Sequence, residues 1–134
     1  MVEFIDSNRK CVFVFDEMHI NSKEYFDLSF MIKINYSFFM AQKTIFCEKE
    51  KFVNFKIDLM NLYVGKSRDL FFSDYERNID INMKKDELGH IVANVTLRDF
   101  YDILESHVFF EYVFDQSFLP ELIEEIETTL DELR

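Results

Sequence analysis

Apolar and polar positions alternate with a period of two along most of the chain. The alternation is clearest where Phe26, Leu28, Phe30, Ile32, Ile34 and Tyr36 point one way and Asp27, Ser29, Met31, Lys33 and Asn35 the other, the mark of a half-buried strand. The same reading predicts strands at 2–5, 11–20, 26–36, 38–46, 69–73, 78–84, 90–99 and 107–115. Turn chemistry separates them at Asp6-Ser7-Asn8, at Asn21-Ser22 and at Glu87-Leu88-Gly89. Short connections make neighbouring strands antiparallel.

Two segments switch to helical spacing. Over 48–64, Phe52, Phe55, Leu59, Leu62 and Tyr63 form one apolar stripe, with Glu48 and Glu50 in the first turn and Gly65 just past the end as a left-handed cap. Over 118–133 the stripe is Leu119, Leu122, Ile123, Ile126, Leu130 and Leu133, and Glu121, Glu124, Glu125, Glu127, Asp131 and Glu132 take the outer face. Asp115 or Ser117 caps this start, and Pro120 is tolerated where first-turn N–H groups have no helical partner anyway.

The element order is therefore ββββα-ββββα, and a shift of 67 lays Phe52, Phe55, Leu59 and Tyr63 over Leu119, Leu122, Ile126 and Leu130. That suggests an internal duplication with halves 1–66 and 67–134; two unrelated amphipathic helices remain the alternative. The expected fold class is α+β: one domain spanning 1–134, an antiparallel sheet of about eight strands with two helices on one face and the other face wet.

Composition narrows the class. Hydrophobic residues make up 49% of the 134 and Phe occurs 17 times, against two Gly and one Pro, which suits an ordered core and no disordered tail. Cys11 and Cys47 lie in apolar runs without CxxC spacing, Cys11 among Val12, Phe13, Val14 and Phe15 reading as a small core residue, and no signal-peptide pattern opens the chain, so a cytoplasmic protein with reduced thiols is expected. A Cys11–Cys47 disulfide is the alternative for an exported chain. No apolar run reaches the ~18 residues of a membrane span.

Charge is lopsided. Residues 101–134 hold ten Asp and Glu against one Arg, −9 of the formal −11. The negative sign of the charge and the shortage of Lys and Arg argue against direct binding to nucleic acid. Lys43, Lys49, Lys51, Lys84 and Lys85 read as solvated tips. His19, His90 and His107 stand apart from Cys, Asp or Glu at metal-ligand spacing, so neither metal nor cofactor is expected. No GxSxG elbow or glycine-rich phosphate loop is present, and the chain reads as no enzyme.

What remains is surface: the six acids of the second helix, and a polar sheet face of Met31, Lys33, Asn94, Thr96, Arg98, His107 and Glu111. A charged helix face is commonly just solvated. The functional alternative is that Glu121, Glu124, Glu125, Glu127, Asp131 and Glu132, with Arg98 and Glu111, hold a basic protein partner.

The stretch Asp115-Gln116-Ser117-Phe118-Leu119-Pro120-Glu121-Leu122-Ile123, a strand end opening into an acidic helix, resembles the C-terminal signature of WapI-like immunity proteins. Phe26-Asp27-Leu28-Ser29-Phe30-Met31-Ile32-Lys33-Ile34 resembles that family's early strand, and Gly89-His90-Ile91 a turn entering a later one. The resemblance implies a small bacterial cytoplasmic inhibitor that occludes a cognate toxin, often a basic nuclease; a monomer or weak homodimer is expected. It brings no catalytic residues. The competing expectation is a structural or adaptor protein that self-associates through a strand edge or sheet face.

Overall fold

A computed structural model describes residues 1–21, 26–101 and 103–133. Eight antiparallel strands and two α-helices follow one another as β1 (Val2–Ile5), β2 (Cys11–Ile20), β3 (Leu28–Tyr36), β4 (Phe39–Cys47), α1 (Lys49–Val64), β5 (Asp69–Ser73), β6 (Ile79–Lys85), β7 (His90–Tyr101), β8 (Leu104–Asp115) and, after a 3₁₀ turn (Gln116–Phe118), α2 (Leu119–Glu132). The order ββββα-ββββα is as the alternation predicts. Ser22 of the expected Asn21-Ser22 turn lies outside the described residues.

The strands divide into two sheets, β1-β2-β3-β4 and β5-β6-β7-β8. A continuous eight-stranded sheet is roughly 38 Å wide at ~4.8 Å per strand, and two helices side by side cover only ~20 Å of it. Splitting the sheet lets the two apolar faces bury each other, with the helices closing the rest. Phe13 of β2 lies 6.1 Å from both Phe110 and Tyr112 of β8. Phe15 meets Phe30 at 4.5 Å and Phe72 of β5 at 6.3 Å, and Phe55 of α1 meets Phe72 at 4.7 Å. The buried residues of both halves form one cluster.

Local departures from the predicted boundaries have identifiable causes. β3 starts at Leu28, two residues late, because Asp27 Oδ1 accepts from Lys49 N at 2.6 Å and so caps α1, while Phe26 packs on Tyr75. Beyond β6, β7 and β8 continue as a two-stranded ribbon, pairing Phe100 with Glu105 and Tyr101 with Leu104. Gly65 closes α1 at φ 85°, a left-handed position suited to glycine.

Three of the lysines expected at solvated tips are tied into the fold. Lys43 faces the core side of β4, between Ala41 and Ile45, where its Nζ donates to Asn78 Oδ1, to the Arg98 carbonyl and to Asp99 Oδ1 at 2.8–3.0 Å, joining the first sheet to the second. Lys85 Nζ donates to the Leu62 carbonyl at 2.7 Å, satisfying one of the unpaired acceptors at the end of α1. Lys51 Nζ donates to the Ser73 carbonyl at 2.9 Å. Each ammonium finds fixed acceptors that a sequence pattern does not display.

Candidate functional site

The start of α2 is set locally. Asp115 Oδ1 accepts from Ser117 N at 2.9 Å, the 3₁₀ turn follows, and Pro120 falls in the first turn of α2. Leu119, Leu122, Ile126, Thr129 and Leu130 are buried. This inward stripe repeats that of α1 at the 67-residue shift, Phe52, Phe55, Leu59 and Leu62 matching Leu119, Leu122, Ile126 and Thr129. Tyr63, expected within the stripe, is 41% exposed.

The six acids of α2 do not share one environment. Glu121, Glu124, Glu127, Asp131 and Glu132 are exposed. Among the described residues no cation lies within ion-pair distance of Glu121, Glu124 or Glu132, whereas Glu127 has Lys56 Nζ at 3.9 Å. Glu121, Glu124 and Glu132 border a shallow depression of about 370 Å³ together with Met1, Glu125, Thr128 and Thr129. Glu125 departs from the expected outer face. It is half-buried, and its Oε2 accepts from Glu3 N at 3.0 Å, which docks α2 on the edge of β1. Burial pushes the Glu125 carboxyl above its usual range; the Glu3 N–H pulls it back, and the charges of Glu3 and Glu121 push it up again.

The polar set expected on one sheet face is parted between two sheets. Met31 and Lys33 belong to the first, Asn94, Thr96, Arg98, His107 and Glu111 to the second. Glu111 is exposed and stands opposite Asn94. Arg98 is occupied internally: Nη1 donates to Asp80 Oδ2 at 2.5 Å and to the Arg77 carbonyl at 3.2 Å, and Nε lies 3.5 Å from Glu105. At Asp80, burial pushes the carboxyl upward, but hydrogen bonds from Arg77, Ser73 and Arg98 outweigh it and hold the group below the usual range. Arg98 and Glu111 therefore sit on the second sheet, away from the helix that carries the acids.

The histidines do not assemble a catalytic or metal centre among the described residues. No group of three His, Cys, Asp or Glu converges there. His90 Nδ1 lies 3.4 Å from Asp86, and His107 Nδ1 lies 3.7 Å from Glu105. His107, Ser106 and Asp99 do line one cleft of about 260 Å³ with Lys43. Ser106 and His107 are adjacent on a strand and so point to opposite faces, while Asp99 is paired with Lys43 at 2.8 Å. A serine–histidine relay is not formed. Cys11 is exposed and Cys47 buried, both free. Among the described residues no helix is long and apolar enough to cross a membrane.

The sequence reading missed a groove between the helices. Met60, Tyr63 and Val64 of α1 and Pro120 and Ile123 of α2 line an open channel of about 630 Å³, edged by Glu124 and Glu127. Its sequence signal is a second apolar row on α1, Ile57, Met60 and Val64 at i, i+3 and i+7, all exposed.

Among curated proteins, none matches the chain. A weak structural likeness is found to MRP1/MRP2 of Trypanosoma bruciei, with 9% identity, 88% of this chain and 81% of that chain covered, and a TM-score of 0.43. The family model of the Immunity protein WapI-like family matches residues 20–134.

Proposed function

The chain belongs to the immunity protein WapI-like family, and from that membership we propose that it is a non-catalytic inhibitor that binds and occludes a cognate bacterial toxin in the cytoplasm. The toxin surface it covers is basic, as in a nuclease that must itself attract a polyanion. The observation that carries this reading is the row of exposed acids on α2, of which Glu121, Glu124 and Glu132 have no cationic neighbour among the described residues. Held on a helix packed against the core, these charges need no reorganisation to meet a basic surface. Complementarity of this kind raises the encounter rate more than it slows dissociation.

A toxin domain is expected to be encoded beside this chain, and the test uses that domain. Co-expression should restore growth, and failure of the wild type to do so overturns the proposal. With the purified pair, Glu124→Lys combined with Glu132→Lys should lower the association rate about tenfold or more at low salt, with the deficit shrinking as salt screens it. An unchanged rate removes α2 from the interface.

A second reading, self-association, draws on the outer face of the second sheet, where Phe71, Phe109 and Val113 are exposed. Sedimentation that depends on concentration favours it; a monomer across the range does not.

A further inference from the structure

We infer that the groove between α1 and α2 receives an amphipathic cationic helix of the partner, a deduction that rests on the immunity reading above and specifies the chemistry it recognises. Single exposed apolar residues are ordinary on any protein. Here they are gathered: Met60, Tyr63 and Val64 are 46%, 41% and 67% exposed, and they form one wall of the channel whose other wall is Pro120 and Ile123. α1 is thus apolar on two faces, one spent on the core and the other open, and the second face has no counterpart within the described fold.

The walls say what shape fits. Both are helices, whose backbone groups are already hydrogen-bonded, so neither offers an edge for an incoming strand. Pro120, Ile123, Glu124 and Glu127 stand at i, i+3, i+4 and i+7, a span of two turns, about 10 Å. That accommodates two or three apolar side chains from one face of a partner helix. The rim says which charge fits. Glu124, with no cation within ion-pair distance among the described residues, and Glu127, with Lys56 Nζ at 3.9 Å, flank the apolar floor, so basic residues beside the partner's apolar row meet carboxylates, Glu124 foremost. A second copy of this chain, at −11, brings the same acids to the same rim and is repelled.

The experiment titrates the isotopically labelled full chain with two synthetic peptides of equal lysine content. One carries leucines at i, i+3, i+4 and i+7; in the other those leucines are serines. The leucine peptide should bind about tenfold more tightly or better, with methyl shifts at Met60, Val64 and Ile123. Met60→Ser with Val64→Ser should erase that preference while leaving the serine peptide's affinity unchanged. Both positions are exposed, and a dispersed spectrum verifies the fold. Equal affinities, with shifts confined to the α2 acids, overturn the groove proposal and leave the charge reading standing. Absence of binding by either peptide overturns both. A dimer of the wild-type chain that the double serine variant abolishes makes a second copy the occupant and overturns the proposal.

Discussion

Cys47 has no solvent exposure, and burial, with a further push from the Asp74 charge, raises its thiol from 9.0 to about 12. A folded-state value above the unfolded one means that the folded protein holds the proton more tightly. The stability this contributes is complete below pH 9 and is lost as pH rises from 9 towards 12. Denaturant titrations should show stability falling across that window, and falling less steeply in Cys47→Ala. At pH 8 a thiol reagent should label Cys11, which is exposed, and reach Cys47 only on unfolding. The apolar run around Cys11 predicts a core position for that thiol, yet Cys11 is exposed and Cys47 is the one turned inward. Cys11 precedes Val12 at the strand's first position, while Cys47 lies on the same face as Ile45. Lys43 is the sharper case. Nothing in a strand of mixed residues announces that its ammonium will find Asn78, Asp99 and a carbonyl 35 to 56 residues away.

At the scale of elements, periodicity located every strand and helix, because one-faced burial imposes its period on the sequence directly. It did not place the helices against their neighbours. Seen alone, α2 is a ring of acids around an apolar stripe; docked on β1, it turns Glu125 inward and leaves Glu121 and Glu124 outside. Because burial raises the Glu125 carboxyl, the sign runs opposite to that of a salt-bridged acid. Its contribution to stability is greatest at acid pH and is lost as pH rises through the folded-state value. Glu125→Gln keeps an acceptor for Glu3 N and removes the buried charge. The variant should be more stable than wild type at pH 7, with the gap closing as pH falls through the carboxylate range, as denaturation midpoints would report. Its effect on association with a toxin should be small beside that of reversing Glu124 and Glu132, since Glu125 is half-buried and its Oε2 is already engaged by Glu3 N.

On the scale of the whole molecule, the repeated order of four strands and a helix describes two halves, and the buried residues of both join in one cluster. Alternation reveals that a strand has an apolar face; it carries no information about whether that face meets a helix or another sheet, and this is why two sheets replace the expected one. The contacts that decide the matter are long-range: Phe13 against Phe110 and Tyr112, Phe15 against Phe72, and Lys43 across to Asn78 and Asp99. The β1–β2 turn also docks on the edge of β8, Ser7 N and Oγ both donating to the Val113 carbonyl at 2.8 and 2.9 Å. Cutting the chain between 66 and 67 exposes the inner aromatic face of each four-stranded sheet, at roughly 1.5–3 kcal/mol for each large apolar side chain uncovered. A domain's net stability is only ~5–15 kcal/mol, so a few such side chains exhaust it. Residues 1–66 and 67–134 expressed separately should therefore each give a collapsed amide spectrum and non-cooperative melting, whereas co-expression should restore a dispersed spectrum. Two separately folded halves would mean that the sheets are independent units whose aromatic faces do not need each other, and the rigid relation between α1 and α2 on which the groove depends would lose its foundation.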